Sequence, residues 1–151
     1  MTQPVPLVRV SLVRESGPSE PPADAIRTPA DAARVLMPLL RDQDRETLLV
    51  LLFDTPHRPI GAHVVAIGTL NAAPAHPREV FKAAILANAA AVILAHNHPS
   101  GDVTPSRADL ATHKRLREAG DLLGIPVLDS LIIAQDAYRS IRAGQGGQDN
   151  A

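Results

Sequence analysis

Residues 46–53, Glu-Thr-Leu-Leu-Val-Leu-Leu-Phe, run almost without a polar break, the pattern of a strand buried on both faces. The turn-forming Asp-Thr-Pro-His-Arg at 54–58 sends the chain back into a second strand over 59–68, with Gly61 the candidate bulge. Val80, Phe81, Ala84 and Ile85 then recur at helical spacing, which predicts a helix over 77–90 packed on the sheet. Residues 91–96 return to an apolar strand. A helix over 105–123 should stop at Gly124, and strands over 125–134 and 138–141 follow around a turn at 135–137. Upstream, Thr28-Pro29-Ala30-Asp31 starts a helix that Pro38 should kink or end early. Residues 7–13 alternate like a further strand, and 14–27 form a Pro-, Ser- and Glu-rich connector.

These elements describe an α/β domain over 28–142, preceded by a strand and connector over 1–27. A Gly- and Gln-rich tail over 143–151 is expected to be disordered. The 46–68 hairpin demands antiparallel pairing inside an otherwise alternating chain. A mixed sheet flanked by helices on both faces, in three layers, is therefore expected. With 151 residues, 45% of them hydrophobic, the chain can bury one core and is too short for two ordinary domains.

Charge and cysteine content narrow the chemistry. A formal net charge of −1 argues against a protein that lives on phosphate contacts, and strong nucleic-acid binding is not expected. The nearest approach to a basic stripe is Arg107, Lys114, Arg115 and Arg117, read as a solvated helix face. The absence of cysteine excludes disulfides, thiolate zinc sites and the P-C-x-x-C half of a zinc deaminase. No secretory leader or membrane-length apolar run is present, so a cytoplasmic location without membrane association is expected. The apolar edge at 7–13 could pair between chains, so an oligomer is open.

The chemistry concentrates where the 91–96 strand ends, in His96-Asn97-His98-Pro99-Ser100-Gly101-Asp102-Val103-Thr104-Pro105-Ser106-Arg107-Ala108-Asp109. Residues two apart in a strand share a face, so His96 and His98 can present two imidazoles to one ion. Asp109 can add a carboxylate if the intervening turn folds the next helix back over the strand end. Two imidazoles, one carboxylate and a fourth position left open is the arrangement of a catalytic zinc, one ion per chain. The alternative is structural: histidines beside an apolar run often pack or cap. Two helix caps compete here, Thr104 followed by Pro105 and the box Ser106-x-x-Asp109. Proline placement favours Thr104, which would leave Ser106 and Asp109 inside the first turns for other work.

The block H-N-H-P-S-G-D-x-x-P-S-x-x-D resembles the signature of the RadC-like branch of the JAMM/MPN (JAB) metalloprotease superfamily, H-x-H-P-x6-S-x-x-D. The likeness extends to residues 46–54, to His57-Arg58-Pro59-Ile60, Gly68-Thr69-Leu70 and His76-Pro77-Arg78-Glu79-Val80, and so covers roughly residues 30–140. It implies a JAB/MPN fold of deaminase-like architecture. It further implies His96, His98 and Asp109 as zinc ligands, Glu46 as general base and Ser106 as the hydroxyl that steadies an oxyanion. Members of this branch usually carry an N-terminal helix-hairpin-helix segment suggestive of DNA contact. No counterpart is found here, so the family's association with DNA repair should transfer poorly.

Three further residues are candidates for supporting the ligands: His76, Asp102 and His113. His57 and His63 are expected at the surface. The function implied is a zinc-dependent metallopeptidase or isopeptidase acting on a protein or peptide of unknown identity. A DNA-repair-associated protein or metal-dependent nuclease, and a non-catalytic metal-stabilised interaction module, are the alternatives.

Overall fold

The structure, a computed structural model, describes residues 3–18, 24–68 and 75–146. Residues 19–23 of the connector, Thr69 and Leu70 of the family-like element, and residues 147–151 of the tail lie outside it.

Five strands form one sheet in the order β2-β1-β3-β4-β5, with β1 at Thr47–Phe53, β2 at Pro59–Ile67, β3 at Ala91–Asn97, β4 at Val127–Ile133 and β5 at Tyr138–Ser140. Only β3 and β4 run parallel; every other neighbouring pair is antiparallel. The sheet is mixed, as its hairpin requires. All seven residues of β1 and all seven of β3 are buried, because helices cover both faces. Helix α1 (Pro29–Leu40) packs Ala33, Leu36 and Leu40 against Leu49, Leu51, Ile93 and Leu131. On the other face, α2 (Pro77–Leu86) and α3 (Arg107–Leu123) set Val80, Phe81 and Leu116 against Val50, Leu52, Val92 and Leu94. The alternation of the central strands thus divides their apolar side chains between two cores.

Gly120 is what lets α3 lie so close. A Cβ built there would stand 2.5 Å from the carbonyl oxygen of Ile125 and 3.2 Å from both Phe81 and Val127. Gly124 ends α3 at φ +73°, the left-handed stop its position predicted.

Several expectations are corrected. Residues 7–13 form no strand, and Leu7, Val8, Val10 and Val13 stand exposed. Alternation makes a strand only where a neighbour accepts its backbone hydrogen bonds, and among the described residues no strand does so. Pro38 lies inside α1, which runs on to Leu40. It sits on the exposed side together with Arg34, whose carbonyl it cannot serve because proline has no N–H. Helix α2 ends at Leu86, not at 90, with Asn88 in the left-handed region; Ile85 is exposed and Ala83 packs inward instead. In β2 the register slips beside Gly61, which itself pairs with Leu52, leaving Ile60 as the extra residue. Ile141 leaves the sheet to start α4 (Ile141–Gly146), so residues 143–146 are helical where a disordered tail was expected. The Asp129 carboxylate anchors that turn: it accepts hydrogen bonds from the Ser140 hydroxyl at 2.5 Å and from the Arg142 amide at 3.0 Å.

Candidate metal centre

Strand β3 lies in the middle of the sheet, antiparallel to β1 and parallel to β4, and its C-terminal end carries His96. The chain remains extended for two more residues, with the His98 amide bonded to the Ile133 carbonyl at 2.9 Å. His96 and His98 therefore face the same side. Their Nε2 atoms are 3.1 Å apart, His96 Nε2 is 3.2 Å from Asp109 Oδ1, and His98 Nε2 is 3.3 Å from Asp109 Oδ2. The two nitrogens and one carboxylate oxygen all lie within 4.8 Å of one another, a group able to hold a metal ion.

The donor spacing tests the fit to zinc. Tetrahedral bonds of about 2.05 Å place neighbouring donors about 3.3 Å apart. The Nε2–Nε2 separation matches that edge, and each imidazole stands at a similar distance from a different Asp109 oxygen, Oδ1 for His96 and Oδ2 for His98.

Two of the three candidate ligands, His98 and Asp109, are held by neighbouring backbone and side-chain groups. The Nδ1–H of His98 donates to the Asp102 carbonyl at 2.7 Å, so in the neutral tautomer it is Nε2 that offers its lone pair toward the donor group. Asp102 thus supports the centre through its backbone. Its carboxylate accepts from the Thr104 amide at 2.9 Å, and that amide together with the Thr104 hydroxyl holds its pKa below the usual range. Gly101 makes the tight turn, at φ +90°, with its amide bonded to the His98 carbonyl at 3.0 Å.

The cap expected at Thr104 lies instead at Ser106, and α3 begins at Arg107. Ser106 Oγ accepts from the Asp109 amide at 3.0 Å while Asp109 Oδ2 accepts from the Ser106 amide at 2.8 Å. This reciprocal pair satisfies two orphan donors, whereas Thr104 has its own amide committed to Asp102. Asp109 is consequently both cap and candidate ligand. Burial alone would raise its pKa, but hydrogen bonds and charge from His96 and the bonds from Ser106 outweigh it and hold the carboxyl at about 2. Ser106 Oγ accepts in the cap, so its own proton stays available to donate.

Glu46 immediately precedes β1 and is half-buried. Leu48 pairs with His96, so extending that register by two residues puts Glu46 across from His98, on the face of the two imidazoles. His113 lies one turn after Asp109 on α3 and is not one of the three clustered donors. It is buried, with Nδ1 2.7 Å from Ser130 Oγ and Nε2 without a hydrogen-bond partner. Together with His96, Asp109 and Ser130 it lines a cavity of about 40 Å³. Burial pushes its pKa down. His76 is the cap of α2, accepting from the Arg78 amide at 3.1 Å. His57 and His63, expected at the surface, are half-buried on the hairpin and lie outside the donor group.

One residue of this region escaped sequence reasoning. Asn97, between the two histidines, is buried and turned to the opposite face, where its carboxamide bonds to the segment before β1. Only the β1–β3 register reveals that neighbour.

Among the described residues no helix is long and apolar enough to cross a membrane. Arg107, Lys114, Arg115 and Arg117 are all exposed along α3, and Glu118 and Asp121, also exposed, follow within the next turn.

Comparison with known proteins agrees with this architecture. A family model described as the RadC-like JAB domain matches residues 26–147. A UPF0758 protein of Desulforamulus reducens is 46% identical over 145 residues, which is 93% of this chain and 64% of that protein. UPF0758 proteins of Methanosarcina mazei and Thermosynechococcus vestitus are 44% and 49% identical, over 82% and 78% of the chain and 54% and 47% of their own lengths. The chain thus spans between about half and two thirds of these curated relatives. With the family model covering most of the chain and its motif residues gathered at one strand end, the protein belongs to the RadC-like JAB domain family.

Proposed function

We propose that this chain is a zinc-dependent metallohydrolase of the peptidase or isopeptidase type. The observation that carries the reading is the convergence of His96 Nε2, His98 Nε2 and the Asp109 carboxylate at separations suited to one tetrahedral ion. Three protein donors leave a fourth position open, as hydrolytic sites do and closed structural sites do not. Zinc, when bound, would polarise a substrate carbonyl and lower the pKa of a water toward neutrality.

The chain's own residues would do the rest. Glu46, on the face of the imidazoles, takes up a proton during attack and passes it to the leaving amine. Ser106 donates its hydroxyl proton to the oxygen that gains negative charge. Asp102 keeps His98 in the tautomer that presents Nε2, and Asp109 remains ionised throughout the neutral range. A cleft of about 540 Å³ passes His98 between residues 41–44, Ser100 and the turn at 135–137. Its lining includes Asn97 and Ile133, on the α1 side of the sheet, and lacks His96, Asp109 and Glu46, so it runs behind the donors rather than across them. The four exposed cations of α3 favour a second reading, contact with nucleic acid, but their acidic neighbours and the net charge of −1 weigh against it.

The test is elemental analysis of purified protein followed by an unbiased peptide-cleavage screen with and without chelator. About one zinc per chain and chelator-sensitive cleavage are expected. Glu46→Gln should retain the zinc and lose about 10²–10⁴-fold in rate. Unchanged turnover in that variant would refute the assignment of the base.

A further inference from the structure

The two peptide groups that flank the Cα of Glu46 are gripped by one side chain. Asn97 Oδ1 accepts from the Thr47 amide at 2.7 Å, and Asn97 Nδ2 donates to the Arg45 carbonyl at 2.9 Å. The first contact holds the peptide after Glu46 and the second holds the peptide before it. Nδ2 also reaches the Gln43 carbonyl at 3.3 Å, and the Glu46 carbonyl accepts from the Gly68 amide at 2.9 Å. Rotation about φ and ψ of Glu46 is thereby blocked from both sides. The residue that does this is buried, lies between the two candidate ligands in the chain and points to the opposite face of the sheet from them.

Such an arrangement is not needed to finish the strand. A hydrophobic residue at 97 would pack under α1 as its neighbours Ala95 and Ile133 do. A buried carboxamide is costly unless its donors and acceptor are met, and here all of its contacts go to backbone at 43–47.

We propose that Asn97 is a positioning residue: its carboxamide fixes the Glu46 backbone across the β1–β3 register and so sets where that carboxylate stands relative to His96 and His98. The inference rests on reading Glu46 as the base. It makes the central residue of the H-x-H element the link between ligand pair and base.

Cobalt(II) is the probe, because its visible d–d absorption responds to donor geometry and to the charge beside the open position. Wild type, Glu46→Gln, Asn97→Ala and the double variant are each loaded with cobalt. All four should bind about one ion per chain. The band of Asn97→Ala should move in the same direction as that of Glu46→Gln, and the double variant should match Glu46→Gln alone. Amide hydrogen exchange at residues 44–47 should accelerate about tenfold in Asn97→Ala while residues 92–95 keep their protection. Asn97→Ser, whose hydroxyl is too short to span both peptides, carries the same expectation should the alanine variant not fold.

A wild-type band in Asn97→Ala alongside a shifted band in Glu46→Gln overturns the proposal and leaves the base assignment standing. Loss of cobalt stoichiometry in Asn97→Ala also overturns it, since the residue would then be acting on the histidines. If Glu46→Gln itself leaves the band unmoved, Glu46 does not face the centre, and the base assignment falls together with the clamp.

Discussion

Asp109 closes a helix cap with the same carboxylate that approaches two imidazoles, so two substitutions should separate its jobs. Asp109→Asn keeps an oxygen for the Ser106 amide and removes the negative charge that a metal would require. Asp109→Ala removes both. Without metal, Asp109→Ala should cost about 1 kcal/mol more than Asp109→Asn, the usual worth of a capping interaction. At free zinc about 100-fold above its dissociation constant, wild type should gain about 2.7 kcal/mol and both variants much less. A domain of this length unfolds with an entropy near 0.3 kcal/mol/K, so these terms correspond to Tm differences of about 3 °C and about 8 °C.

Thermal unfolding of the three proteins, in chelator and in buffered zinc, gives all six values. If zinc raises the Tm of Asp109→Asn as much as that of wild type, the carboxylate is not a ligand. If Asp109→Ala and Asp109→Asn coincide in chelator, the Ser106–Asp109 cap contributes nothing to stability.

Three other outcomes are expected. Gly120→Ala should destabilise by about 1–3 kcal/mol despite the better helix propensity of alanine, because the new methyl meets the Ile125 carbonyl at 2.5 Å; urea unfolding measures it, and a neutral or stabilising result would contradict the close approach of α3. Burial lowers the pKa of His113 from 6.5, so the unfolded chain takes up its proton first and stability should fall as pH drops through about 6.5. Urea midpoints against pH should therefore slope less in His113→Gln than in wild type, and equal slopes would sink the argument. Duplex DNA should bind no more tightly than about 10⁻⁴ M at physiological salt. Micromolar anisotropy titrations with a steep salt slope, weakened by neutralising Arg107, Lys114, Arg115 and Arg117, would promote the nucleic-acid reading instead.

What could be read from the chain alone was whatever a single element dictates. The two-residue period of β3 puts His96 and His98 on one face without knowledge of any neighbour, and the apolar run at 47–53 could only be a strand covered on both sides. Where the outcome depended on a partner, pattern was a poor guide. Residues 7–13 alternate as well as any strand in the protein but find no neighbour to pair with. Nothing in the sequence marks Asn97, because its partners lie some fifty residues earlier in the chain and are brought close by the antiparallel pairing of β1 and β3.

The misplaced cap is more instructive, because the sequence contained every residue needed to place it. Thr104-Pro105 follows a sound statistical preference, yet the Thr104 amide is captured locally by Asp102 and only Ser106 meets a reciprocal partner three residues on. Treating the cap and the ligand as rival uses of Asp109 was the error. A carboxylate has two oxygens and about four lone-pair directions; the helix amide uses one, and a metal ion held beside the two imidazoles would use another. The cap orients the carboxylate, and against burial, which would raise its pKa, the contact with His96 and then the Ser106 N–H together keep it ionised. In this motif the start of the helix and the group able to hold a metal share one carboxylate, so a role for Asp109 in capping does not exclude a role in that group.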